Sequence, residues 1–298
     1  MSFPLARYAA KHWITHAHSG TKSKSHSSSM VALMMKLLMN EDTTFVQWVR
    51  LCDIDYYDQC NLQKERAKIV KPLYYASRAG LTEASYALLE MGADANAQGG
   101  FYGYALQAAS YGGYEVIAKL LIEKGAAVNA QGGSLGNALQ AASFRGHEAT
   151  AKLLIEKGAD INAQGGGSTK TALQEASYGG HEAITKLLIE KGADVNAQGG
   201  AYGNALQAAS DRGHETIAKL LIEKGADINA QGGAVGHALT RAAFRGREAI
   251  AKLLIEKGAD VNAWGGFYGD ALQAASNGGP QVNTPFHILQ SLCQHCPF

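Results

Sequence analysis

Asparagine recurs along the chain at Asn96, Asn129, Asn162, Asn196, Asn229 and Asn262, at steps of 33 residues with one step of 34. A period of this size means that each unit is a single supersecondary element that cannot bury its apolar face alone, so neighbouring units must stack. The 298 residues are therefore counted in repeats rather than in compact domains. The same period accounts for the 35 glycines beside only 5 prolines, because the glycines fall at fixed places in each unit.

One unit runs Asn137-Ala-Leu-Gln-Ala-Ala-Ser-Phe-Arg-Gly-His-Glu-Ala-Thr-Ala-Lys-Leu-Leu-Ile-Glu-Lys-Gly-Ala-Asp-Ile-Asn-Ala-Gln-Gly-Gly. Asn137, Thr171 and Asn204 are residue types whose side chains accept from the free N–H groups of a helix start. Ala138, Leu139, Ala141 and Ala142 predict a short first helix, small enough on its inner side for the next unit to approach at the roughly 8 to 10 Å of packed helices. Gly146 predicts its end. Glu148, Lys152 and Glu156 at spacing four give the second helix a solvated face, Leu153 and Leu154 its buried one. Gly158 stands where a left-handed residue closes a helix, and Asp160 and Asn162 turn the chain outward.

This unit resembles the ankyrin repeat: Asn137, Ala138, Leu139 and Gln140 stand where that family has Thr-Pro-Leu-His, Gly146-His147 opens the second helix, and Leu153, Leu154, Gly158, Ala159, Asp160 and Asn162 match directly. The resemblance implies an all-α solenoid of paired antiparallel helices joined by hairpin loops. It departs from the pattern in lacking the Pro and in carrying Gly for the Asp that braces the hairpin, so the tip at Gln131-Gly132-Gly133 is expected to be loose. Units start near Lys71, Tyr104, Asn137, Thr171, Asn204, His237 and Asp270, giving six full repeats and a partial seventh that breaks off at Gly279.

Three segments follow: residues 1–70 as a non-repeat helical connector or cap, with a flexible Ser/His/Lys-rich link at 16–29; the array at 71–279; and an irregular tail at 280–298. Helices are expected at Val31–Leu38 and Thr44–Leu51, and Tyr74 and Tyr75 of the divergent first repeat are expected to pack on the segment before them. Phe3 to Ala17, with Phe45-Val-Gln-Trp-Val-Arg-Leu and Asp53-Ile-Asp, resembles the connector between a NACHT nucleotide-binding domain and its ankyrin array in fungal receptor-like proteins. That resemblance implies the sensor or regulatory end of such a receptor.

Basic and acidic side chains number 27 and 26, a balance that argues against nucleic acid as a partner. Four cysteines, Cys52, Cys60, Cys293 and Cys296, all lie outside the repeats, which favours a reducing compartment. A cytoplasmic monomer is expected, with the nucleus as the alternative and no membrane span; the acid-free first 40 residues also suit a mitochondrial transit peptide, though a basic linker is the commoner source of that composition.

No catalytic, metal or cofactor set is expected. Gly165-Gly-Gly-Ser-Thr-Lys-Thr171 lacks the Gly a phosphate loop needs before its Lys, and reads as a hairpin tip holding the one extra residue. His147-Glu148, His181-Glu182 and His214-Glu215 lack the second His of a zinc protease motif and read as helix-junction residues. Cys293-Gln-His-Cys296 has only the spacing of a zinc or redox half-site, and a metal-binding protein through this pair is a further alternative reading.

Recognition is assigned to the positions where repeats differ, since shared positions are explained by packing. These are the tips, Phe101, Tyr102, Leu135, Tyr202, Phe267 and Tyr268, and the ends of the first helices, Tyr111, Phe144, Arg145, Tyr178, Asp211, Arg212, Phe244 and Arg245. Aromatic and Arg side chains dominate interface hot spots. The family resemblance implies that hairpin tips and a concave first-helix face bind a protein partner.

Overall fold

The repeat length is enforced by side chains that reach forward one unit to satisfy backbone groups. In the computed structural model the described residues are 71–165, 170–234 and 236–278. Residues 1–70 and 279–298 lie outside them, and with them the two expected N-terminal helices, the connector resemblance and all four cysteines.

The described residues form helices α1 (Pro72–Arg78), α2 (Thr82–Glu90), α3 (Ala105–Gly112), α4 (Glu115–Glu123), α5 (Ala138–Arg145), α6 (Glu148–Glu156), α7 (Ala172–Gly179), α8 (Glu182–Glu190), α9 (Ala205–Arg212), α10 (Glu215–Glu223), α11 (Ala238–Phe244), α12 (Glu248–Glu256) and α13 (Ala271–Asn277), with no strand among them. They are all-helical and paired, as the repeat pattern predicts. First helices run only seven or eight residues because both ends are fixed locally. Thr171 and Asn204 each close a capping box, accepting from Gln174 and Gln207 backbone N–H at 3.3 and 2.9 Å. Gly180 and Gly213 then leave the helix at φ 78° and 86°, which a side chain would oppose.

Two compact units divide the chain, one holding 71–138 with 156–158 and the other 139–155 with 159–278. In the first, α1 stacks on α3 and α2 on α4, sealing Ala76, Ala108, Ala109, Ile117, Ala118 and Leu121 completely. In the second, α7, α9, α11 and α13 stack in order with α8, α10 and α12 behind them. Alanines 176, 208, 209, 242 and 274 fill that inner seam at full burial, so larger side chains there would separate the helices.

Two ladders of amides lock the period. Along the end of the second helices, Asn196 donates to the Gly225 carbonyl (3.1 Å) and accepts from Asp227 N–H (2.8 Å), and Asn96, Asn162 and Asn229 make equivalent pairs. Under the hairpins, Gln207 donates to the Ala230 and Gly236 carbonyls (2.8 and 2.7 Å) while its oxygen accepts from Asn204 N–H (2.8 Å). Gln107, Gln140 and Gln174 clamp the next hairpin in the same way. Bridge pairs form at the four hairpins these glutamines hold, Gly132 with Gly136, Gly165 with Lys170, Gly199 with Gly203 and Gly232 with Gly236.

The expected loose tip is therefore not found. Gly132 N–H bonds the Gly136 carbonyl at 2.9 Å, and Ser134 N–H bonds Phe101 of the preceding tip at 3.0 Å. Glycine is required there for close approach, since a Cβ on Gly133 would strike the Tyr102 backbone and one on Gly103 would strike Gly132. In the first repeat Tyr74 replaces the glutamine, and its hydroxyl accepts from Tyr102 N–H at 3.3 Å. Tyr74 and Tyr75 are both buried. The segment before them, on which they were expected to pack, lies outside the described residues; what Tyr74 meets is the hairpin that follows.

Replacing Gln207 by Ala strands a buried carbonyl, a half-buried one and a buried N–H, and is expected to cost about 2 to 4 kcal/mol. Gln273 is exposed, and Gln273→Ala is expected to cost under about 0.5 kcal/mol. Urea unfolding of both variants at equal helicity checks the contrast.

Candidate partner-binding surface

The variable positions come together because the last residue or two of each first helix lies beside a neighbouring hairpin tip. In the first unit Tyr102 stacks on Tyr111 with centroids 4.3 Å apart, Phe101 meets Tyr102 edge-on at 5.1 Å, and the Arg78 guanidinium lies 5.2 and 5.3 Å from the Tyr102 and Tyr111 rings. Tyr102 is buried while Phe101 faces solvent. Leu135 is half-buried on its tip.

The second unit carries a longer set. Tyr178 and Tyr202 approach to 4.4 Å, with Lys170 Nζ at 5.9 and 5.0 Å from the two rings and the Arg212 guanidinium 4.6 Å over Tyr178. Burial, and then the hydrogen bond shared with Tyr178, pushes the Tyr202 hydroxyl well above the usual tyrosine range. Phe244 stacks on Tyr268 at 4.0 Å and Arg245 lies 5.6 Å from the Phe244 ring. Phe144, Tyr178, Tyr202, Phe244 and Tyr268 are half-buried; Arg145, Arg212 and Phe267 are exposed, Phe267 at 82 %.

Beneath the rings two buried acids make three ion pairs. Asp211, 4 % exposed, accepts from Arg245 Nε at 3.1 Å and lies 3.6 Å from Arg241 Nη1. Arg241 is 1 % exposed, and its Nη2 donates to the Ala201 carbonyl at 2.7 Å, tying α11 back across the preceding hairpin. Burial lowers the Arg241 pKa, and the Asp211 charge acts against that shift. Glu175, 3 % exposed, takes Lys170 Nζ at 3.1 Å on one oxygen. Its other oxygen is buried with no hydrogen-bond partner. Desolvation raises its pKa, more than Lys170 lowers it.

Asp211 thus belongs to the underside of the surface, holding Arg241 and Arg245 in place. Lys170, Glu175, Arg241, Arg78 and the 67 %-exposed Trp264 were missed by the comparison of tips and helix ends. A signal existed for three of them. Glu175 and Arg241 occupy the place of Ala108, Ala141, Ala208 and Ala274, and Trp264 that of Gln98, Gln131, Gln164, Gln198 and Gln231. A charge at a position where four sister repeats have Ala must find a partner.

The sequence lookalikes have structural explanations. Nε2 of His181 lies 3.0 Å from the Phe144 carbonyl and that of His214 3.1 Å from the Tyr178 carbonyl, so each donates across to the preceding first helix. Gly165 and Lys170 close a hairpin, and Lys170 turns to Glu175. Among the described residues no group of three or more His, Cys, Asp or Glu side chains is placed to hold a metal, and no helix is long and apolar enough to cross a membrane.

The family described as ankyrin repeats (3 copies) matches residues 73–165, 106–199, 140–232 and 200–264. The azaphilone pigments biosynthesis cluster protein L of Monascus ruber is 38% identical over 123 residues, 38% of this chain and 25% of that protein, so the chain spans about a quarter of that relative's length. The crystal structure of the human ASB11 ankyrin repeat domain superposes with a TM-score of 0.65 at 24% identity, covering 76% of this chain and 99% of that one, a likeness of fold.

Asp211→Asn leaves Arg241 buried without its countercharge and is expected to cost about 3 kcal/mol, whereas adding Arg241→Met should recover at least about 1 kcal/mol of it. A double-mutant cycle in urea measures the coupling. Glu175 supplies a pH test. Its folded pKa is raised, so the folded state binds the proton more tightly and acidification favours folding through this group. Relative to Glu175→Gln, the wild-type chain is expected to lose stability between about pH 4 and pH 7, read from unfolding midpoints at both.

Proposed function

We propose, from the premise that this chain belongs to the ankyrin-repeat family, that it is a scaffold binding a protein partner through its hairpin tips and first-helix ends. The observation that carries the reading is the division of labour between positions. Residues common to the repeats are consumed by the seam, the caps and the amide ladders, while the residues that vary gather into ring-and-cation clusters at the rim. Trp, Tyr and Arg in such settings are the types that contribute most to interfaces, often 2 kcal/mol or more each by the usual measure. Stacking on a guanidinium also holds the rings in place before a partner arrives, reducing the ordering cost of association. No feature of the clusters supplies a nucleophile paired with a base, and the reading is of a binding protein rather than an enzyme.

The resemblance of residues 3–17 and 45–55 to a receptor connector supports a narrower version, in which the array is the sensor or regulatory part of a NACHT-type assembly and residues 1–70 contact its nucleotide-binding domain. Capture from source-cell lysate distinguishes the versions. A partner retained by the intact chain and lost from a Phe144→Ala, Arg145→Ala, Phe244→Ala, Arg245→Ala quadruple variant of equal helicity is the expected result. Loss only on deleting residues 1–70 transfers the site to the N-terminal segment, and equal recovery by all three forms refutes the rim.

A further inference from the structure

Resting on that reading, we infer that the rim of the second unit is built for an acidic, extended segment of its protein partner. The argument is one of which charges solvent can reach. On the first helices and hairpins of this unit stand five bases, Arg145, Lys170, Arg212, Arg241 and Arg245, and two acids, Glu175 and Asp211. Both acids are buried and already held, Glu175 by Lys170 and Asp211 by Arg245 and Arg241. What remains at the surface is cationic: Arg145 and Arg212 are exposed, and the Arg245 side chain is 50 % exposed even while one nitrogen bonds Asp211.

The remainder of the unit carries the opposite balance, with eight bases against twelve acids on its second helices, junctions and turns and at the Asp270 cap. This unit therefore presents a directional field, positive over the rim and negative behind it. Such a field favours encounter with a negative partner in one orientation. The negative remainder and the small number of exposed cations weigh against a nucleic acid, which is gripped by many phosphate contacts at once.

The spacing adds a pattern. Arg212 and Arg245 stand one repeat apart, Arg145 and Arg212 two. Stacked helices lie about 10 Å apart, and an extended chain advances about 3.3 Å per residue, so carboxylates three residues apart would meet Arg245 and Arg212, with another about six residues beyond for Arg145. The half-buried Tyr178 and Phe244 rings, beside Arg212 and Arg245, offer apolar footing for the intervening side chains.

The test screens the intact chain against an array of random 15-residue peptides, then measures the strongest binders by fluorescence anisotropy. Expected is enrichment of Asp and Glu at a three-residue spacing, affinity at least tenfold weaker at 300 than at 50 mM NaCl, and a loss of at least tenfold in Arg212→Ala/Arg245→Gln. Arg145→Glu, altering an exposed side chain, is the second variant should the first lose helicity. Neutral or basic binders, no enrichment, binding indifferent to these substitutions, or tighter binding of a labelled 15-nucleotide single strand each overturns the inference. If the partner from the lysate capture depends on the rim but its bound segment lacks acids, this inference fails alone; if that partner ignores the rim, the broader reading fails with it.

Discussion

Each repeat junction contains backbone carbonyls and N–H groups that no helix or sheet can satisfy, and the fold depends on side-chain amides carried one unit away to pair them. A buried unpaired carbonyl or N–H costs about 1 to 3 kcal/mol, so a junction left to itself would oppose stacking. Asn and Gln suit this work because one side chain both donates and accepts. Gln207 contacts three backbone groups belonging to two hairpins, and Asn196 contacts two. Their short reach fixes how many residues separate equivalent points. The single 34-residue step is compatible with this requirement because its added residue lies between Gly165 and Lys170, inside a hairpin and away from Asn162, which still reaches Gly192 at 3.1 Å.

The same requirement explains where variation is allowed. The inner seam admits little besides Ala and Leu, the junction needs its amides, and the tips need Gly where successive hairpins touch. Freedom is left at the helix ends and at one or two tip residues, and there the repeats diverge into Tyr, Phe, Arg and Asp. In the second unit divergence extends into the seam itself, where Glu175 and Arg241 replace Ala. Burying these charges is costly unless they are paired: Glu175 takes Lys170, and Arg241 shares Asp211 with the exposed Arg245. A stabilising array would keep Ala at both places; the departure coincides with the richest group of rings and cations.

Much of the fold was legible in the linear order of residues. The 33-residue register, the caps at Thr171 and Asn204, the short first helices and the Leu-lined second ones all follow from patterns within a few turns of chain. The tips were misjudged as loose, because Gly-rich sequence carries no sign of the glutamine beneath it or of the neighbouring hairpin that needs the space. Within the candidate site, Tyr111, Tyr178, Arg212, Phe244 and Arg245 were visible as differences between repeats; Glu175 and Arg241 stood out as charges at an Ala position, but their partners, Lys170 and Asp211, emerged only from the structure.

The repeat, its helices and the list of positions free to vary rest on local periodicity and on residue types with fixed conformational preferences, and so can be read from the order of residues alone. Tertiary structure decided what the free positions face. Phe101 and Tyr102 are adjacent, yet one meets solvent and the other lies under it; Asp211 and Arg212 are adjacent, yet one is buried as a counterion and the other stands exposed over a ring. The physical reason is that exposure at a repeat junction is set by side chains arriving from 24 to 40 residues away, and no local pattern records where those side chains end.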